Sequence, residues 1–249
     1  MAKMTLLETR GLIKKYSGRA VVNDVSITIN QRSIVGLLGR NGAGKTTTFR
    51  MIMGMITANS GQVMFEGRDI TKLPMYKRAR FGIGYLSQEP SIFQRLSVRD
   101  NLYAILETMS VTATERGHKA DMLINSFGLN EVADSQGRFL SGGERRKLEI
   151  ARAMVTDPSL ILLDEPFSGV DPITVEDLQR EIRRLVASGV SILITDHNVE
   201  RTLEVVDKAY IIDHGKVIGS GTPSQIVRNR TVRKLYLGNT FAGNEFDNR

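Results

Sequence analysis

The stretch Ser33-Ile34-Val35-Gly36-Leu37-Leu38-Gly39-Arg40-Asn41-Gly42-Ala43-Gly44-Lys45-Thr46 decides the fold of this 249-residue chain. Its apolar first half is followed directly by Gly-x-x-x-x-Gly-Lys-Thr, the pattern of a glycine-rich loop between a strand and a helix. Glycines let backbone N–H groups turn inward around phosphates, Lys45 can reach the β and γ oxygens, and the Thr46 hydroxyl can join a Mg²⁺ shell. The stretch therefore predicts a nucleoside triphosphate site and a helix over 45–53. The expected contacts are Gly39, Arg40, Asn41, Gly42, Ala43, Gly44, Lys45, Thr46 and Thr47.

The amino-acid composition limits the classes of protein to which this chain can belong. At 41% hydrophobic residues, the chain can form one large domain, or one domain with an inserted subdomain. It has no apolar run of the roughly 18 to 20 residues that a membrane span needs, and its first five residues lack the apolar stretch of a signal peptide, so we expect a cytosolic protein. The absence of cysteine excludes disulfides and thiolate chemistry. A net charge of +7 suits nucleotides, anionic lipid headgroups or nucleic acid, and does not choose among them.

The order of sequence patterns predicts an α/β fold. Apolar runs at 33–38, 160–163 and 190–195 are each followed at once by polar residues, as in a parallel sheet whose ligands gather at the carboxyl ends of the strands. Short alternating strands are predicted at 6–10, 20–29 and around 61–67. A helical pattern begins at Ser97 and continues to about 155. His118 and His214 are predicted to lie in loops and receive no role.

Two acids follow the strand at 160–163. Asp164 would hold Mg²⁺, directly or through water, while Glu165 would polarise the water that attacks the γ-phosphate. An acidic pair can also be a solvated strand end, but its place downstream of a phosphate loop favours the catalytic interpretation. His197 ends another core strand, where it could contact the γ-phosphate and orient the attacking water, although an isolated histidine is more often structural.

A second anion site is predicted at Leu140-Ser141-Gly142-Gly143-Glu144. Ser141 and Glu144 have the spacing of a capping box, and glycines flank the start of the helix that follows. Such a helix N-terminus attracts anions. The alternative, a helix start and nothing more, would be favoured if the motif stood alone, but here it accompanies a phosphate loop.

Together these motifs resemble the ATP-binding cassette family over residues 6–238. In that family Gly39–Thr46 is the Walker A loop, 160–165 is Walker B, 168–171 is the D-loop, and 140–144 is the signature LSGGQ with Glu in place of Gln. The resemblance makes His197 the switch histidine and Gln88 the Q-loop glutamine, with a part in catalysis and in the metal shell. It places the ring of Tyr16 on adenine, although a tyrosine in a strand is ordinarily a packing residue. ATP and Mg²⁺ are the implied cofactors.

The resemblance also implies an organisation. The P-loop core with its antiparallel β subdomain would comprise 1–87 and 157–222, the helical signature subdomain 88–156, and a C-terminal helix and tail 223–249. Two copies would form a head-to-tail homodimer, in which Ser141, Gly142, Gly143 and Glu144 of one subunit close over the ATP that Lys45 of the other holds.

Within the family, the runs 82–98, 140–151, 164–172, 194–198 and 235–238 are similar to the ATPases of lipopolysaccharide exporters. This implies a subunit on the cytoplasmic face of the inner membrane that powers lipopolysaccharide extraction. Ser87, Arg40 and Ser168 depart from common residues at their positions. An importer of branched-chain amino acids is the alternative, since its ATPase shares a similar Walker A loop.

Two classes outside transport are also open. A cytosolic cassette ATPase acting on nucleic acid is disfavoured, because the segment from Lys45 to Leu140 leaves no room for a long coiled coil, and we expect no direct nucleic-acid contact. A binding module that no longer hydrolyses is disfavoured by Glu165 and His197.

Ile92 and Phe93 lie where a polar loop would be expected, between the Q-loop and the helix near Ser97. They could fold back into their own subdomain. The family resemblance favours docking instead, because this region receives the coupling helices of two transmembrane permease subunits.

Overall fold

The computed structural model describes residues 4–237. The strands are β1 (Thr5–Tyr16), β2 (Arg19–Val25), β3 (Thr28–Asn30), β4 (Ile34–Leu38), β5 (Ser60–Phe65), β6 (Arg68–Asp69), β7 (Ile83–Leu86), β8 (Leu160–Asp164), β9 (Ser191–Asp196), β10 (Lys208–Asp213) and β11 (Lys216–Gly221). The helices are α1 (Lys45–Met53), α2 (Met75–Arg80), α3 (Val98–Leu106), α4 (Ala113–Ser126), α5 (Gly142–Met154), α6 (Pro172–Ala187), α7 (Val199–Leu203), α8 (Pro223–Arg228) and α9 (Arg230–Val232). Short 3₁₀ turns span Asn130–Val132 and Gly137–Phe139, and a π-helical turn spans Arg233–Leu237. The motif residue Gly238 and the tail that follows lie outside the described residues.

The predicted parallel sheet is confirmed, with one antiparallel strand at its edge. Its order is β11-β10-β4-β9-β8-β7, and β11 pairs antiparallel with β10. Along β4 and β8, alternate side chains enter two different apolar clusters: Val35 and Leu162 belong to one, Leu38 and Leu163 to the other. Side chains of a strand alternate between faces, so the sheet is buried on both sides, as its nearly continuous apolar strands require.

An antiparallel sheet covers one face of the parallel sheet. It is built on the long strand β1, in the order β2-β1-β5-β6, with β3 also pairing with β1. Its core residues share a cluster with α1 and with the inward side chains of β4 and β8. The phosphate-loop helix is therefore packed between the two sheets, which fixes its direction.

Helices α3, α4 and α5 lie between β7 and β8 in the chain. The predicted start at Ser97 is confirmed, because its side chain accepts a hydrogen bond from the Asp100 N–H and caps α3. The prediction that His118 lies in a loop is wrong: a Thr112 and Glu115 capping box starts α4, which continues through His118. His214 does lie in a turn, between β10 and β11. Among residues 4–237, no helix is both long and apolar enough to traverse a bilayer.

The C-terminal end of α1 is held by a buried arginine. Arg78 is 1% exposed and donates to the carbonyl oxygens of Met51 (2.8 Å), Ile52 (2.6 Å) and Leu73 (2.8 Å). The last carbonyls of a helix lack partners within the helix, so the guanidinium satisfies them and complements the helix dipole. Burial lowers the pKa of Arg78 to about 10, which leaves it charged at neutral pH.

We expect Arg78→Met to destabilise the protein, because it leaves buried carbonyls without donors. The free energy of unfolding, measured by urea denaturation, should fall by about 3 kcal/mol. Arg80→Met is the matched control, since Arg80 lies exposed on the same helix. Equal stability of the two variants would contradict the role given to Arg78.

Candidate functional site

The phosphate loop lies at the carboxyl end of the central strand β4 and leads directly into α1. The helix N-cap is Gly44, which offers no side-chain acceptor, and the first turn holds no acidic residue, so its N–H groups face outward without an internal anion. Gly44 has φ of 108°, and a Cβ there would come within 2.7 Å of the Val21 oxygen. A Cβ on Gly39 would come within 2.2 Å of the Ile212 oxygen. Both positions therefore require glycine.

Lys45 is held inside this loop. Its Nζ donates to the carbonyl oxygens of Gly39 at 2.7 Å and Arg40 at 3.1 Å, and the residue is 5% exposed. Burial lowers its pKa, an effect that Glu165 and two neighbouring aspartates oppose. Thr46 and Thr47 are half-buried at the start of α1, while Arg40, Asn41 and Gly42 form the exposed rim of the loop and Ala43 lies buried beneath it.

Asp164 ends β8 beside this loop. It is 4% exposed, and burial is the main cause that raises its pKa. The Tyr85 hydroxyl donates to Asp164 Oδ2 at 3.3 Å. Burial first, and Asp164 second, raise the pKa of Tyr85 to about 12, so the phenol keeps its proton at neutral pH. No sequence pattern assigns Tyr85 a role, because the pairing of β7 with β8 that brings it beside Asp164 joins segments 79 positions apart.

Glu165 is the meeting point of three predicted site residues. Its backbone is left-handed, with φ of 48°, and its N–H donates to the Thr195 oxygen at 2.7 Å. Its Oε2 accepts a hydrogen bond from Gln88 Nε2 at 3.0 Å and lies 3.4 Å from His197 Nδ1. Side chains from three separate loops thus converge on one carboxylate oxygen.

The signature residues form the predicted capping box. Ser141 Oγ accepts from the Glu144 N–H at 3.3 Å, and Glu144 Oε2 accepts from the Ser141 N–H at 2.8 Å. The Ser141 hydroxyl also donates to Glu144 Oε2 at 2.7 Å, and this bond, together with the one from the Ser141 N–H, lowers the pKa of Glu144. The motif, with Gly142 and Gly143, lines a cavity of about 520 Å³ that also contains Gln88 and Glu165. In the part of the chain that the structure describes, no phosphate-loop residue lines this cavity.

Tyr16 lies apart from these residues, at the end of β1. Its side chain is among the exposed aromatics, and Lys14 Nζ lies 5.2 Å from its ring centroid. The ring is therefore not a core packing residue. Its exposed face is available for a planar ligand.

Ile92 and Phe93 have different surroundings. Ile92 is 8% exposed and packs in the core, so the expectation of a docking contact is wrong for its side chain. Phe93 is 46% exposed, with the Arg152 guanidinium 4.6 Å from its ring centroid. The segment is fixed to α5, because Glu149 Oε1 accepts from the Ser91 N–H at 2.8 Å and Arg146 pairs with Glu149 at 2.8 Å.

A glycine-rich loop at the end of a parallel strand, with a buried lysine and an acidic strand end beside it, defines a nucleotide-binding protein of the P-loop class. The family described as ABC transporter matches residues 22–168. The chain is 51% identical to the lipopolysaccharide export system ATP-binding protein LptB of Haemophilus influenzae and to that of Escherichia coli K12, over 96% of this chain and 99% of each relative. The chain belongs to the ABC transporter family.

Solved structures agree with this assignment. One, the ADP conformation of an ATP-binding cassette of an ABC transporter, has a TM-score of 0.85 at 26% identity, covering 94% of this chain and 99% of that one. Another, cbiO1 from Clostridium perfringens, has a TM-score of 0.86 at 25% identity, covering 98% of this chain and 100% of that one.

A further sequence relative, from Azorhizobium caulinodans, is named only a probable ABC transporter ATP-binding protein. It is 51% identical over 93% of this chain and 82% of its own length.

We expect Asp164→Asn to raise the melting temperature of the nucleotide-free protein. Because burial raises the Asp164 pKa, the folded state loses stability as pH rises through that pKa, and at neutral pH the buried charge is unfavourable. The variant should melt at least about 3 °C higher at neutral pH, with the difference shrinking in acid. Asp134→Asn, whose side chain is 93% exposed, is the control and should melt like wild type. A lower melting temperature for Asp164→Asn would contradict this account.

Proposed function

We propose that this chain is the ATP-hydrolysing subunit of an ABC transporter that extracts lipopolysaccharide from the inner membrane. The substrate rests on the relatives named for lipopolysaccharide export, which match along nearly their whole length at 51% identity. Hydrolysis rests on one observation above all: Gln88, Glu165 and His197 meet at Glu165 Oε2, beside the phosphate loop. The importer of branched-chain amino acids remains the alternative substrate class.

Nucleotide binding follows from the loop. The phosphates would lie on the N–H groups of residues 39–47, with Lys45 turning from the Gly39 carbonyl to the β and γ oxygens. Adenine would stack on the exposed ring of Tyr16.

Mg²⁺ fits the donors present. Thr46 and Asp164 would hold it, with Gln88 near the same shell, and Mg²⁺ would neutralise charge that develops on the phosphates. Over residues 4–237, no group of three or more His, Cys, Asp or Glu side chains forms a metal cage. A site with few protein ligands suits Mg²⁺, which keeps waters and binds substrate phosphates.

In the hydrolytic step, Glu165 would accept a proton from the attacking water. Gln88 holds Glu165 Oε2 at 3.0 Å and so limits its rotation. His197, at 3.4 Å from the same oxygen, would contact the γ-phosphate on the other side of that water. A base fixed in place from two sides needs little reorganisation when water attacks.

A homodimer would complete the site. The signature motif lines a cavity with Glu165 and without the phosphate loop, through Ser141, Gly142, Gly143 and Glu144. This position fits a motif that binds the ATP of a partner copy. In this arrangement residues 88–156 would act as a helical subdomain on a core of 1–87 and 157–222, with 223–249 as a C-terminal extension.

Two membrane subunits would dock at Phe93 and hold the chain on the cytoplasmic face of the inner membrane. Phe93 is an exposed aromatic on a segment whose backbone is fixed, since its N–H donates to Asn101 Oδ1 at 2.8 Å. A rigid exposed aromatic is a common anchor of protein interfaces.

Glu165→Gln should bind ATP but hydrolyse it about 10²- to 10⁴-fold more slowly, because the amide cannot accept the proton. Dimers should accumulate with ATP, measured by light scattering. Glu131→Gln, at an exposed position on the helical segment, is the control for loss of a carboxylate. Wild-type turnover in Glu165→Gln would contradict the assignment of the base.

The same variant separates the two substrate classes in cells depleted of the native chain. If the proposal is correct, Glu165→Gln fails to restore lipopolysaccharide to the outer membrane, while uptake of radiolabelled leucine is unaffected by the depletion. Normal lipopolysaccharide export with lost leucine uptake would instead support the importer.

Phe93→Ala should weaken association with the membrane subunits by about 2 kcal/mol or more, while the free subunit keeps its melting temperature and ATP hydrolysis. Phe81→Ala is the matched control, because Phe81 is also an exposed aromatic under an arginine, with Arg68 5.7 Å from its ring centroid. Co-purification from membranes measures the association. A large drop in melting temperature with unchanged co-purification would show that Phe93 is a packing residue.

A further inference from the structure

Asp196 is a buried carboxylate to which the sequence patterns assign no function. It is the last residue of β9 and has no exposed surface. In the parallel pairing of β9 with β4 it lies opposite Leu38, the last residue before the phosphate loop. Burial of a carboxylate is unfavourable, and burial is the main cause that raises the Asp196 pKa. A charge in this position therefore needs compensating interactions.

Both oxygens of Asp196 accept backbone hydrogen bonds, and the donors lie on two different loops. Oδ1 accepts from the Asn198 N–H at 2.8 Å, and Oδ2 accepts from the Phe167 N–H at 3.2 Å. Phe167 is two residues beyond Glu165, and Asn198 directly follows His197. One carboxylate therefore connects the loop that carries Glu165 to the loop that carries His197.

The bond to Asn198 fixes the backbone on both sides of His197. An aspartate that accepts from the N–H two residues on closes an Asx turn, which sets the direction of the residue between them. Asp196 Oδ1 also lies 3.5 Å from His197 Nδ1. The Asn198 side chain accepts from the Arg201 N–H at 3.1 Å and caps α7, so the turn continues into a helix.

The bond to Phe167 fixes the turn after Glu165. Glu165 has a left-handed backbone, which a non-glycine residue adopts only when its surroundings impose it. The Thr195 carbonyl holds the N–H of Glu165 on one side, and Asp196 holds the N–H of Phe167 on the other. Phe167 itself is 2% exposed, so the turn is anchored by burial as well.

We propose that Asp196 is a positioning residue for ATP hydrolysis, whose two carboxylate oxygens hold the Glu165 and His197 loops at a fixed separation. The proposal rests on the proposed function and goes beyond it, because Asp196 would act through these loops without touching the nucleotide. Only a carboxylate presents an acceptor on both of its terminal atoms. An amide at this position would place an N–H donor against one of the two backbone N–H groups.

The test compares Asp196→Asn with wild type in the full-length chain, measuring ATP affinity without Mg²⁺ by calorimetry, kcat with Mg²⁺, and thermal melting. The expected result is a kcat lower by about 10- to 100-fold, because small misplacements of reacting groups have effects of this size. The dissociation constant for ATP should stay within about twofold, since the phosphate loop is intact. A lower kcat with unchanged ATP affinity would not arise from partial unfolding, because partial unfolding lowers both kcat and the affinity for ATP.

Asp213→Asn is the matched control. Asp213 ends the next strand, β10, and His214 follows it in the same Asp-His order, but the Asp213 side chain is 20% exposed and His214 is 89% exposed. This variant should keep wild-type kcat. If Asp196→Asn does not fold, Asp196→Ser, which retains one small acceptor without an amide donor, undergoes the same measurements.

The outcomes separate the two proposals. A wild-type chain that does not hydrolyse ATP would overturn the proposed function. Hydrolysis at the same rate in wild type and Asp196→Asn would overturn only the positioning role. A variant whose melting temperature, ATP affinity and kcat fall together would also overturn it, because Asp196 would then be a residue of general stability.

Discussion

The parallel pairing of β4, β9 and β8 is the constraint on which the rest of the structure depends. It sets Leu38 opposite Asp196 and Asp164 opposite Thr195, so the phosphate loop and two acidic strand ends emerge side by side at one edge of the sheet. The apolar side chains on both faces of these strands fix this register, because a shift of one residue would move every side chain of the shifted strand to the opposite face. The geometry of the site is thus a product of hydrophobic burial several residues away.

Electrostatics at that edge work against stability. Asp164 and Asp196 are both nearly inaccessible, their pKa values are raised by burial, and Lys45 is the nearby buried cation that partly offsets them. An arrangement with excess negative charge before ligand binding favours a divalent cation and disfavours the apo state. Nucleotide and Mg²⁺ would therefore add stability as they bind, in the manner expected of a site selected for function over stability.

The parts of the fold that sequence predicts well are those set by local patterns. Lys45–Met53 is the expected helix, the Ser141 and Glu144 capping box is present, and the strands at 160–163 and 190–195 lie within one residue of their expected ends. Each depends on a short-range rule of spacing or chain direction.

Interactions between distant segments were beyond the reach of sequence patterns. Asp196 accepts a hydrogen bond from the N–H of Phe167, 29 positions earlier in the chain. The Tyr85 hydroxyl donates to Asp164, 79 positions later in the chain. Ile92 and Phe93 are neighbouring large apolar residues, but only Ile92 is buried in the core. His118 is helical because Thr112, six residues earlier, caps the helix. The residues next to His118, Gly117 and Lys119, do not indicate a helix.

Helix α5 has a mechanical consequence. Its first turn carries the signature glycines, while Glu149 and Arg152, nearer its other end, are bonded to Ser91 beside Phe93. With 13 residues it is a rod of about 20 Å. A tilt of about 10° about its far end would displace Ser141 by about 3 Å, more than the range over which a hydrogen bond survives. If the membrane subunits dock at Phe93 as proposed, a small rotation at that end of α5 would be enough to make or break phosphate contacts at Ser141, and the packed helix would transmit motion between membrane and nucleotide.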